Sequence, residues 1–385
     1  MNVIYCTDFM KEIESHVKNP SERRLRILSA TEQESVYGIP AFNTKERKHY
    51  FKISALEKDI FDTELKGHTS KLYFVLMLGY FKASHQFFHF TLSMVREDAE
   101  YIISKYLQQA DIAAIDEKVG KKARRNHYTK ILKLFSFRFA KHEDRNKMTQ
   151  KAEDTISIDA NPKYLFKELL RYSHDQKFVL PSYTTMQSII STATLNQEKQ
   201  LLTKLNSLLD NELKNRLHTL LNKESDTRYP LTLIKQPIQN FSHKQASKER
   251  SHRDELKNIF TKAKPIFNHI KISNLSIKYF AQLVDIYTVD QLKQFDEVKQ
   301  YFYMLCFVYY RYLKINDDLV KTFLYFVGKY KGEVKLAVQE KIAQMRIENS
   351  KNLSKGARIF RLIIDAGISD DQLVKEFRDE AYAIL

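Results

Sequence analysis

Apolar positions recur at helical spacing along almost the whole chain, and two dense runs stand out. Residues 72–81 and 301–310 are nearly all apolar. Each is about half the roughly 20 residues a bilayer-spanning helix requires, so both read as helices buried in a protein core. Elsewhere the apolar residues mark single faces: Leu56, Ile60 and Phe61, then Ile102, Ile103 and Tyr106, then Tyr128, Ile131, Leu132 and Phe135, then Leu165, Phe166, Leu169 and Leu170. Leucines at 201, 202, 205, 208, 209, 213, 217, 220 and 221 predict a long amphipathic helix pair over residues 196–221 that is engaged in packing.

Polar punctuation sets the boundaries. Ser29 caps a helix over residues 32–37 that Gly38 and Pro40 stop, and Ser54 with Glu57 forms a capping box for the next. Gly67 turns the chain into the apolar helix over 69–82. Asn161-Pro162 is a cap followed by proline at the first helical position. The helix it opens runs to about Ser173-His174-Asp175, and Pro181 opens the following one. Tyr229-Pro230 and Gln236-Pro237 break the chain, and the polar run 242–253 is either a linker or an exposed helix start. Beyond it the pattern predicts helices over 254–269, 278–287, 289–313, 317–330 and 334–349, and a helix-turn-helix pattern over 356–385 with a stop at Gly367.

The expected fold is therefore all-α and multidomain. Residues 1–110 form an N-terminal helical domain, 111–225 a second, and 226–385 a third helical region. Only 8 Gly and 7 Pro in 385 residues agree with a chain that is rarely broken. The helix 162–172, a short connection and the helix entered at Pro181 make a helix-turn-helix-like unit.

Charge changes the picture from architecture to partner. The net charge is +16, and residues 118–151 hold twelve Lys or Arg against Glu143 and Asp144, a local net of +10. Those cations surround the apolar stripe of Tyr128, Ile131, Leu132 and Phe135, which anchors the helix and turns its charge outward. Such a segment neutralises phosphates, while the hydroxyl and amide side chains of Tyr183, Thr184, Thr185 and Gln187 suit base edges. Lys121, Lys122, Arg124, Arg125 and Lys130 are the candidate phosphate contacts, and Arg23, Arg24 and Arg26 form a second basic group. Nucleic acid is favoured over an acidic lipid surface, because no basic stretch alternates with a long exposed apolar face. The 25 Phe and 22 Tyr can stack on bases, but they fall mostly at core spacing.

No constellation for catalysis or metal binding emerges. Walker, GxGxxG and GxSxG loops are absent from the sequence, and Cys6 and Cys306 lie three hundred residues apart without zinc-ligand spacing. Cys306 reads as a buried structural thiol. His85 and His89 have i, i+4 spacing without the glutamate of a zinc protease. Adjacent Asp317 and Asp318 read as an acidic helix start rather than a magnesium site. The N-terminal residues do not resemble a signal peptide, and the cysteine usage reads as reducing and cytoplasmic.

Four ordered stretches resemble transposases of the replicative class II, or Tn-three, family. RILSATEQE (26–34) is similar to that family's ILSxxExE opening, KLYFVLMLGYF (71–81) to its following apolar helix, FVLPSYTTMQ (178–187) to its vLPsyttlq element, and YMLCFVYYRYLKINDDL (303–319) to its yLlcFvyhRyqqinDnL stretch. The resemblance implies helical domains that bind the transposon's terminal inverted repeats as duplex DNA. The family's RNase H-like Asp-Asp-Glu domain, with its divalent metal, corresponds to sequence beyond Leu385. The expectation is a truncated or split transposase part in a bacterial, nucleoid-associated setting. It has no catalysis or cofactor of its own and no membrane association, and its partners are transposon-end DNA, a separate polypeptide carrying the catalytic domain, and a second copy of the chain. The alternative is a helical interaction scaffold or general RNA-binding protein without sequence specificity. An enzyme with an unrecognised site is a third reading.

Overall fold

In the computed structural model the chain is all-α, and the apolar run at 72–81 becomes a buried helix of its first unit. Residues 26–223, 228–236, 238, 240–364, 375 and 379 are described; among them are fifteen helices and no strand. The chain divides into two units, Met1–Gln236 with Asp254–Leu313, and Pro237–Arg253 with Lys314–Leu385.

In the first unit, α1 (Ala30–Tyr37), α2 (Thr44–Tyr50) and α3 (Ala55–Asp59, continued by a π turn at Ile60–Glu64) precede α4 (His68–Ser84). Ser29 and Ser54 cap α1 and α3 in reciprocal capping boxes with Glu32 and Glu57, as their spacing predicts. Every residue of α4 from Leu72 to Phe81 is buried. Each fully buried Leu, Val or Phe there contributes about 1.5–3 kcal/mol of transfer free energy. The helix has no polar face because α2, α5 (Arg96–Tyr106) and α6 (Lys121–Phe135) all pack on it. Its one glycine marks a close approach: a Cβ on Gly79 would lie 2.3 Å from the Phe51 ring. One polar group is carried into this core with its partners. Asp98 accepts from the Tyr80 hydroxyl at 2.6 Å and from Arg47 Nε at 2.6 Å. Burial, reinforced by that carboxylate, holds the Tyr80 hydroxyl far above the usual tyrosine range.

Helices α7 (His142–Ile156), α8 (Pro162–Asp175) and α9 (Tyr183–Asn206) pack on one another. Asn161 caps α8, with Pro162 at the first position, and Ser182 caps α9. α9 runs unbroken from Tyr183 to Asn206, so the helix expected to begin at 196 is the second half of a longer one. Then come α10 (Asn211–Leu221), α11 (Pro230–Ile234), α12 (His243–Ile270), α13 (Asn274–Ile286), α14 (Val289–Lys293) and α15 (Glu297–Ile364). The run from Tyr301 to Val308 is fully buried, and Cys306 with it; burial raises the thiol well above its ordinary range.

The separate helices expected over 289–313, 317–330 and 334–349 are not separate from 297 onward. α15 is continuous, and Asp317 and Asp318 lie inside it rather than at its start. Proline is absent between 297 and 364, and Asp318 pairs with Lys321 at 3.1 Å instead of capping a backbone amide. Gly328 and Gly332 cost about 1 kcal/mol each relative to alanine, too little to break a propagating helix. In the second unit, Phe241 stacks on Tyr325 at 5.2 Å and His243 on Phe326 at 4.1 Å. Phe323, Val327, Tyr330, Val334 and Val338 are exposed there at helical spacing.

Candidate nucleic-acid interface

The basic segment splits into two faces. On α6, Lys121, Lys122, Arg125, Thr129 and Lys133 are exposed, while His127 and Ile131 are buried. The i, i+4 repeat of the exposed set is the outer face of the amphipathic helix, and the stripe expected to anchor it does so. Tyr128, Leu132 and Phe135 pack against the α4 core. Burial lowers the His127 imidazole to about 4, so it is neutral at physiological pH and adds nothing to the positive field.

Of the five candidate phosphate contacts, Lys121, Lys122, Arg124 and Arg125 have no ion pair among the described residues. Lys130 does: its ammonium pairs with Glu64, tying α6 to the π turn after α3. Arg138 is also committed. Its guanidinium makes two bonds to Asp144, at 2.5 and 2.8 Å, and lies over the Phe178 ring at 4.5 Å. That guanidinium, with the Lys141 amide, holds the Asp144 carboxyl far below its usual range. Arg26 is exposed; Arg23 and Arg24 lie outside the described residues.

The residues expected at base edges also divide. The Tyr183 hydroxyl accepts from the amides of Ile27 and Leu28, both at 3.0 Å. Gln187 is only 8% exposed. The Tyr183 hydroxyl is thus engaged within the fold, and the Gln187 side chain is buried. Thr184 remains exposed, and Thr185 is half-buried. The Ser182 hydroxyl contacts those of Thr184 and Thr185 at 3.1 and 2.9 Å. Around Tyr183, Tyr37 donates to the Pro181 carbonyl at 3.2 Å and Lys163 pairs with Glu32 at 3.1 Å. The stretches 26–34 and 178–187 are thus in direct contact, although about 150 residues separate them.

Two neighbouring clefts join the basic end of α6 to the start of α9. The smaller, about 370 Å³, is lined by Lys118, Lys121 and Arg124 with Tyr73, Phe90 and Thr91 among others. The larger, about 640 Å³, is lined by Tyr37, Gln86, Tyr128, Leu180 and Ser182 among others. They share Phe88, His89 and Met94. His89 and Met94 are exposed on the irregular segment between α4 and α5. In the larger cleft the Tyr128 hydroxyl has no hydrogen-bond partner, and its ring stacks on Phe87 at 3.9 Å.

This arrangement lies within a stretch that matches a known protein-domain family. Residues 27–193 match the model of a domain of unknown function, DUF4158. No curated protein matches the chain. The DUF4158 match runs from the strand of chain pinned by Tyr183 to the middle of α9, and so includes the outer face of α6 and both clefts. It contains the stretches 71–81 and 178–187 and all but Arg26 of the stretch 26–34. No described helix is long and apolar enough to cross a membrane.

Thr91 and Met94 carry no pattern in the sequence, and His89 stands out there only by its spacing from His85. The signal available was the run Phe87-Phe88-His89-Phe90, which fits neither the helical period nor a turn pattern, so its aromatic residues are not explained by one buried face.

Proposed function

We propose that this chain binds duplex DNA through the outer face of α6 and the hydroxyl-bearing start of α9, as the end-binding part of a Tn-three-type transposition apparatus. The observation that carries the reading is the set of Lys121, Lys122, Arg124 and Arg125, four neighbouring cations on a rigidly anchored helix without acidic partners among the described residues. Cations paired within the protein have already exchanged water for a carboxylate; unpaired ones keep their charge for phosphate. The DUF4158 match supports the transposase connection, because that domain is found in Tn-three-family transposases.

In this reading α6 holds the backbone, and α8 with α9 acts as the helix-turn-helix-like unit. Ser182 and Thr184 face the groove in place of Tyr183 and Gln187. Hydroxyls of this kind donate to or accept from either base edge, so sequence preference comes mainly from where α6 fixes the register. A polypeptide region carrying the family's catalytic domain is the protein partner this reading calls for. The exposed apolar positions of the second unit, Phe323 to Val338, are suited to such a protein partner or to a second copy. The test is competition at fixed salt. A duplex of the terminal inverted repeat should displace a labelled copy more effectively than a scrambled duplex of equal length. Equal displacement by both would leave a general nucleic-acid-binding scaffold as the better account.

A further inference from the structure

The smaller cleft has features that backbone binding alone does not use. Its cationic wall is Lys118, Lys121 and Arg124, its apolar surface comes from Phe88, Phe90 and Met94, and no acidic side chain lines it. The two walls are fixed to each other. Leu92 N donates to the Glu117 carbonyl at 3.0 Å, and the Tyr73 hydroxyl donates to the same carbonyl at 2.6 Å. The Glu117 carboxylate turns back onto Ser93, accepting from its amide at 3.0 Å and its hydroxyl at 2.5 Å. That tie keeps the nearest carboxylate out of the lining and holds the segment 88–94 against the entrance to α6. The volume of about 370 Å³ falls within the range of about 300–1,000 Å³ typical of small-ligand sites.

We infer that this cleft receives a single unstacked nucleobase of the bound DNA, with Lys118, Lys121 and Arg124 holding the flanking phosphates. Aromatic and thioether side chains beside cations match the two halves of a nucleotide, a flat apolar ring and an anionic backbone. Neither half alone accounts for the pairing, since a phosphate site needs no aromatic wall and an apolar partner needs no cations. His89 and Thr91 supply polar atoms at the rim for the base's edge. The inference rests on the DNA-binding reading above, and adds that the contacted duplex is locally opened.

The test compares two probes on the full chain by fluorescence anisotropy at one low salt concentration: a short fully paired duplex, and the same duplex carrying one unpaired adenosine. The unpaired base has no pairing to lose, so the expected preference for the second probe is about tenfold, equivalent to about 1.4 kcal/mol. Phe90→Leu removes a stacking ring, and Thr91→Leu reduces the space. Each should bring the ratio close to one while binding to the paired duplex persists. A ratio of one in the unaltered protein, with the paired duplex still bound, overturns the base pocket and leaves the duplex reading standing. A preference that survives both substitutions also overturns the pocket. Absence of salt-dependent binding to either probe overturns both.

Discussion

Replacing Lys121, Lys122 and Arg125 together by alanine removes three of the four candidate phosphate contacts on α6 that have no ion pair among the described residues, without touching its buried face. Each phosphate neutralised contributes about −0.9 to the slope of log affinity against log salt. The four together account for about −3.6, and the triple variant should therefore raise the measured slope by about 2.7. Between 50 and 200 mM salt the four-cation face loses about 150-fold in affinity, whereas Arg124 alone loses about 3.5-fold. Lys118 precedes α6 and is not part of this count. The internal control is Lys130→Ala. Lys130 has the same charge and the same helix, but its ammonium is engaged by Glu64, so its removal should leave the slope nearly unchanged. Binding isotherms by anisotropy at five or so salt concentrations give the slopes of the parent, the triple variant, Lys121→Ala and Lys130→Ala. A triple variant with the parental slope refutes the assignment. So does a Lys130→Ala slope that shifts as much as that of Lys121→Ala, because the ion-pair argument is what separates the two.

Three further outcomes follow from the packing. Tyr183→Phe leaves the Ile27 and Leu28 amides without their acceptor, and both residues are buried; thermal or denaturant unfolding should show a loss of about 1–3 kcal/mol, with no change in DNA sequence preference. Gly79→Ala gains about 1 kcal/mol of helix propensity but drives a methyl into the Phe51 ring; overpacking at about 1–3 kcal/mol should outweigh the gain, giving a lower unfolding midpoint. Asp144 has its pKa depressed by Arg138, so its contribution is present above the unfolded value near pH 4 and is lost as pH falls through the folded value; Asp144→Asn should be less stable than the parent at pH 7, and the difference should shrink in acid unfolding series.

What the sequence disclosed was what depends on neighbours. The caps at Ser29, Ser54 and Asn161 and the anchored stripe of α6 involve residues two to four apart, and all are present. Asn316-Asp317-Asp318 misled for the same reason: locally it resembles a helix start, but α15 was already propagating when it reached these residues, and adding one more turn costs far less than nucleation. Contacts across the chain were not legible. Nothing near Tyr183 signals that its hydroxyl serves amides 155 and 156 positions earlier, and nothing near Lys130 signals Glu64, 66 positions away. Those two contacts decide which polar residues remain available for a ligand. The clefts lay hidden because loop residues 88–94 meet α6 only after Glu117 folds back onto Leu92 and Ser93.

Hydrogen exchange tests the proposed DNA-binding face most directly. The first-turn amides of α6 have no intrahelical acceptors, and Gly120 supplies no side-chain cap for them, so they should exchange quickly in the free chain. With saturating duplex, exchange should slow at residues 118–125 and at 182–185, while α10 and α13 keep their free rates. Protection confined to α12 and α15, with residues 118–125 unchanged, would contradict the account.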